Sequence, residues 1–167
     1  MGLDCGIVVN IPDKNGVINY RLELCYMRKC YRLSRNMFDC INKHFKDFEI
    51  SDNPNPYEIT YPYTTRRFIA TELFEVMLEE VDKEIERIDS EIRHSGMTEW
   101  LDTDSIWEAG VYIRIIHKVR LELQALIYWL EDKISLEILM DIAGQDFIDD
   151  IDNFDLEKIV ITFYYSY

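Results

Sequence analysis

Apolar and polar positions along this chain alternate with two different periods, and each change of period marks an element boundary. Residues 3–9, LDCGIVV, form a short apolar run that predicts a strand, and Pro12, Asp13, Lys14, Asn15 and Gly16 supply turn chemistry after it. Ile18, Tyr20, Leu22, Leu24 and Tyr26 then alternate with Val17, Asn19, Arg21, Glu23 and Cys25, as in a strand with one buried and one wet face. A hairpin follows from the pair. From Arg28 to Lys46 the period lengthens, and Cys30, Leu33, Met37, Ile41 and His44 fall on one stripe of a first helix. Residues 47–56 read as a loop by composition. Tyr57, Ile59 and Tyr61 form a short strand stopped by Pro62, and Thr64 or Thr65 is placed to cap the next helix.

Two long amphipathic helices come next. Phe74, Leu78, Val81, Ile85, Ile88 and Ile92 recur at spacings of 4, 3, 4, 3 and 4, with Glu79, Glu80, Asp82, Glu84, Glu86, Asp89 and Glu91 mostly outside that seam. Between Asp104 and Asp132 the same spacing returns in Tyr112, Ile116, Val119, Leu123, Leu126 and Leu130, while Arg114, Lys118 and Glu122 form a solvated or partner-facing stripe opposite. Matched heptads joined by a short segment around Ser95 to Thr103, with Gly96 as a helix stop, predict an antiparallel helical hairpin. Use of the same seams in a homodimer stays open. A shorter helix around Leu136 to Ala143 ends at Gly144, an acidic loop runs from 146 to 155, and alternation from Ile159 to Tyr167 predicts a last strand. The expected fold is a single α+β domain over residues 1–167. Its small antiparallel or mixed sheet, made of the N-terminal hairpin and the C-terminal strand, packs on the helical hairpin.

Charge changes what this fold is expected to meet. The chain carries a net charge of −14, so nucleic acid would be repelled by most of its surface and no direct nucleic-acid partner is expected. The charge is uneven. Residues 1–46 hold eight Lys and Arg against four acids, whereas the remaining 121 residues hold 10 against 28. No window is long and apolar enough for a membrane span, and the first residues lack the pattern of a secretory signal, so a cytoplasmic location is expected. Cys5, Cys25, Cys30 and Cys40 form no CxxC pair, which points to reduced, mostly buried thiols rather than zinc ligands.

Candidate chemistry is sparse. His44, His94 and His117 are separated on helices, without an Asp, Ser or Cys at the spacing of a known catalytic motif. The acidic loop lacks the central Gly of a calcium loop, and the six glycines are scattered singly, without a phosphate-binding cluster. No metal or cofactor is expected. The basic cluster Arg28, Lys29, Arg32 and Arg35, with Tyr31, is less ordinary, because cations in the first turn oppose the helix dipole while an anion there would be stabilised. It is either an anion or acidic-partner site, or an internal counter-charge for the acidic helices.

The opening Met1, Gly2, Leu3 and Asp4, the Tyr26 and Arg28-Lys29 before a helix with Leu33 and Phe38, a Tyr-containing extended segment, a Leu-rich helix and the end FYYSY are similar to a family of small phage and bacterial proteins. Its members begin Met-Gly-Leu-Asp-Met-Tyr, carry a Trp-Arg-Lys motif followed by a His, and finish on an aromatic strand. Cys5, Met27 and Ser34 stand here in place of the family's second Met, its Trp and its His. The resemblance implies a small phage- or prophage-encoded cytoplasmic protein, and carries Asp4, Arg28 and Lys29 over as matched positions. The family has no settled function.

The leading expectation is therefore a non-enzymatic interaction protein that binds and inhibits a host defence or regulatory protein through its acidic surface. The alternative is a binding protein or hydrolase for an anionic small molecule such as a nucleotide signal. In that case Arg28, Lys29, Arg32 and Arg35 would hold phosphates while Tyr31 or another tyrosine stacks on a base.

Overall fold

A computed structural model describes residues 4–44, 59–95, 103–145 and 151–166. The expected loop 47–56, the helix stop Gly96 and the first half of the acidic loop lie outside the described residues. β1 (Asp4–Pro12) and β2 (Ile18–Arg28) form the hairpin, followed by α1 (Tyr31–His44), β3 (Ile59–Pro62), α2 (Tyr63–Ser95), α3 (Thr103–Leu130), α4 (Leu136–Ile142) and β4 (Val160–Ser166). The sheet is antiparallel throughout, in the order β2-β1-β4-β3. It contains one strand beyond the hairpin and the C-terminal strand, since β3 pairs with β4 from Ile59↔Phe163 to Pro62↔Val160. Pro62, which cannot donate to a ladder, sits at the end of an edge strand, where it costs least. α2 begins directly behind it at Tyr63, so Thr64 and Thr65 lie inside the helix rather than capping it.

The hairpin turn is closed by Asp13, whose Oδ1 accepts from the N–H groups of Asn15 and Val17, each at 2.9 Å, while Gly16 takes a left-handed φ of 84°. Cys5, Ile7, Val9 and Ile11 of β1 and Ile161 and Phe163 of β4 face the helices, which cover one side of the sheet with a single continuous core. Cys30, directly before α1, and Leu33, Met37 and Ile41 within it are buried as the stripe predicts, and α3 buries Ile116, Val119, Leu123, Leu126 and Leu130. α4 is capped by Ser135, whose hydroxyl accepts from the Ile138 N–H at 3.3 Å, and stops at Gly144.

Two local departures from the period matter most. Cys5 opposes Met27 but Ile7 opposes Leu24, so Gly6 faces both Cys25 and Tyr26 across a β-bulge, with Cys25 at a left-handed φ of 56°. The extra residue shifts the phase of β2, so Met27 returns to the core and Tyr26, expected on the buried face, is exposed. The bulge also takes the Cys25 N–H out of the regular ladder. Glu122 of α3 accepts it through Oε2 at 2.6 Å, and Glu122 is accordingly buried rather than part of the outer stripe.

The second departure lies on α2, which is packed against α1 as well as α3. Its deepest track runs Phe74, Met77, Val81, Glu84 and Ile88, while the expected seam residues Leu78 and Ile85 are half-buried at its side. A helix held between two neighbours buries a wider arc than one seam. Glu84, expected on the acidic exterior, falls within that arc.

Candidate functional site

The basic cluster is divided by the backbone. Arg28 ends β2, Lys29 turns the chain with a left-handed φ of 59°, and the first helical bond runs from the Ser34 N–H to the Cys30 carbonyl. Helical spacing therefore relates Arg32 to Arg35 but not to Arg28 or Lys29, so the four cations expected together in the first turn of one helix are split between the end of β2, the turn at Lys29 and α1. Arg28 lies beside Asp4, its partner across the β1–β2 ladder, with Nε 3.9 Å from Oδ1. Arg32 points to α2, its Nε 3.8 Å from Glu84 Oε2. Lys29, Tyr31 and Arg35 are exposed, and among the described residues neither Lys29 nor Arg35 forms an ion pair. Ion pairs this long on exposed arginines contribute at most about 1 kcal/mol each, yet they set two of the four cations against carboxylates of the chain itself.

Glu84 is the better-built polar centre. Arg87 on the next turn donates from Nε to Oε2 at 3.0 Å and from a terminal nitrogen to Oε1 at 2.5 Å, and it also binds Glu91. The Tyr112 hydroxyl of α3 donates to Oε1 at 2.8 Å. Burial alone would push the Glu84 carboxyl up, but the bonds from Arg87 and Tyr112 and the charges of Arg87 and Arg32 outweigh it and hold the carboxyl below its usual range. Burial and the bond to Glu84 push the Tyr112 phenol up in return. Three helices thus meet at one ionised carboxylate whose oxygens are committed to fixed donors. Such a group stabilises an arrangement and is poorly placed to exchange a proton.

A second centre lies on the outer face of the sheet. Tyr164 of β4 crosses β1 to donate its hydroxyl to Glu23 of β2 at 2.6 Å. It can do so because residue 6 is glycine: a Cβ there would lie 3.0 Å from the hydroxyl and 3.1 Å from ring carbons. The available signal was Gly6 itself, since a glycine inside a strand marks a close approach. Burial and the bond to Glu23 push the Tyr164 phenol up.

The four cysteines are unbridged, and Cys5, Cys25 and Cys30 are buried. Cys5 donates to the Ser34 hydroxyl at 3.0 Å. Burial pushes the Cys5 thiol up to about 11 and that of Cys30 up to about 12, so both stay protonated at neutral pH and are weak nucleophiles. Cys40 is half-buried in an open groove of about 660 Å³ between α1 and α2, where Asp39, Glu79 and Glu80 alternate with Lys43 and Lys83. Burial pushes its thiol up as well. His117 is exposed on α3, and the side chains of His44 and His94 lie outside the described residues. Among the described residues no group of three or more His, Cys, Asp or Glu is placed to hold a metal ion, and no helix is long and apolar enough to cross a membrane.

The most extended feature is a line of carboxylates. Glu72, Glu75, Glu79, Asp82, Glu86 and Asp89 recur at spacings of 3, 4, 3, 4 and 3 along α2, on the side opposite its buried track. At 1.5 Å per residue the line is about 26 Å long. Asp82 is bound by Arg120 at 2.6 Å, and the other five are exposed and make no ion pair among the described residues. The described residues thus form a two-layer α+β fold in which Glu84 and Tyr164 are held by internal partners while an acidic face lies open along α2. Comparison with known proteins finds no matching family model, no matching curated protein and no matching solved structure.

Proposed function

We propose that this chain is a non-enzymatic, phage-encoded interaction protein that binds and inhibits a host defence or regulatory protein, with the outer face of α2 as its contact surface. The observation that carries this reading is the line of acids from Glu72 to Asp89, five of them exposed and without an ion pair among the described residues. A rigid rod of negative charge complements a groove or ridge of Lys and Arg such as nucleic-acid-handling proteins present. The phage origin rests on the sequence resemblance alone. For the anionic-ligand alternative, two of the four cations it would use already face Asp4 and Glu84.

The test starts from stoichiometric capture of a host protein at moderate salt, followed by purified binding with two variants. Glu75→Lys/Glu79→Lys/Glu86→Lys is expected to lose binding at least tenfold, and the wild-type affinity to fall with added salt. Arg28→Ala/Arg32→Ala is expected to bind as the wild type does. Equal binding by the acidic-face variant, or capture of no partner, would refute the reading; a thermal shift with nucleotides that the arginine variant loses would favour the alternative.

A further inference from the structure

β2 is an edge strand. It pairs with β1 on one side, and on the other it pairs with no strand among the described residues. Monomeric proteins blunt such edges with bulges, prolines or like charges, because a row of free N–H and C=O groups is a template for another strand. Here the bulge at Cys25 limits one end of β2, but the stretch from Tyr20 to Leu24 is regular, with Leu22 and Leu24 buried toward the helices and Arg21 and Glu23 exposed on the other face.

We propose that this edge pairs with β2 of a second copy of the chain, antiparallel, about a twofold axis through Leu22. Two constraints select that register. The helical layers of both copies lie on the same side of the joined sheet only when inward residues oppose inward residues, so the axis passes through a residue and not between two. Charge then chooses among the residues. An axis at Leu22 sets Arg21 of each copy opposite Glu23 of the other, so the complementary pair forms twice. An axis at Arg21 or at Glu23 brings like charges together on the axis, and one at Tyr20 or Leu24 leaves neither charge opposite its complement.

Both side chains are available for this pairing. Arg21 makes no ion pair among the described residues, and Glu23 is held by the Tyr164 hydroxyl at one carboxylate oxygen, with no bond to the other among the described residues. A carboxylate already fixed from its own sheet loses less conformational freedom when the second copy docks. The inference is independent of the acidic face of α2, which lies on another element.

Sedimentation velocity over a concentration series tests it on the full chain. The wild type is expected to form a dimer. Arg21→Glu and Glu23→Arg each set like charges across the axis and are expected to weaken the dimer at least tenfold, while the swap Arg21→Glu/Glu23→Arg restores complementarity and recovers it to within about threefold. Glu23→Gln, which can still accept from Tyr164, is expected to weaken the dimer without unfolding the chain, which separates loss of pairing from loss of fold. A wild type that stays monomeric up to hundreds of micromolar overturns the proposal. So does a dimer indifferent to the single substitutions, or one that the swap fails to restore.

Discussion

Glu122→Leu and Glu122→Gln remove the same buried charge from α3 but differ in whether the Cys25 N–H keeps an acceptor. In the folded chain that N–H is released from the ladder by the bulge and donates to Glu122 Oε2 at 2.6 Å, and Lys118 lies 3.5 Å from the other oxygen. A buried donor left without a partner costs about 1–3 kcal/mol, so the leucine variant is expected to be less stable than the glutamine variant by that amount. Both variants lose the interaction with Lys118, so the difference between them isolates the bond to the bulge. Burial pushes the Glu122 carboxyl up, and the Cys25 bond and Lys118 offset this only in part. The folded state therefore holds this proton to higher pH than the unfolded chain. Its contribution is present below the ordinary carboxylate value of about 4.3 and is lost as pH rises through the raised value. Glutamine cannot lose that proton, so the stability of wild type minus glutamine variant is expected to fall with rising pH, leaving the glutamine variant within about 1 kcal/mol of wild type at neutral pH. Urea midpoints at fixed m-value, read at mildly acidic and neutral pH, measure both effects. A leucine variant as stable as the glutamine variant would mean that the bulge does not depend on this bond.

At the helical seam, Val81→Asp or Leu123→Asp is expected to cost more than about 3 kcal/mol in a urea melt, because either buries an unpaired charge among fully buried neighbours. Lys118→Glu, which helical periodicity alone makes nearly neutral at about 0.5 kcal/mol, is expected to cost about 1–3 kcal/mol, since it sets a second carboxylate against buried Glu122. Glu84 titrates in the opposite sense to Glu122. Its carboxyl is held below the usual range, so its bonds contribute stability above the ordinary carboxylate value and lose it as pH falls through the depressed one. Glu84→Gln is expected to cost about 1.5–3 kcal/mol at neutral pH and progressively less in acid, as read from thermal melts between pH values of about 7 and 3.

The order and kind of the elements were legible because each rests on a local period. Leu33, Met37 and Ile41 on α1 and Ile116, Val119, Leu123, Leu126 and Leu130 on α3 are buried as their spacing requires, since the side of a helix or strand on which a residue falls is fixed by geometry within a few residues. Turn and cap chemistry at Asp13, Gly16, Ser135 and Gly144 is local in the same sense. What tertiary structure decided are the places where one element answers a need created by another. Glu122 is buried because an inserted residue in β2, nearly a hundred positions earlier, frees a backbone N–H that α3 happens to cover. Glu84 is buried because α1 and α3 together enclose a wider arc of α2 than its own heptad marks, and they bring Arg32 and Tyr112 to meet it. Arg28 parted from Arg32 because the strand ran on to residue 28 and turned at Lys29, a boundary that periodicity locates only to within a few residues. A charged residue at a surface-like position carries no mark of whether the chain will bring it a partner, and that partner comes from far along the sequence.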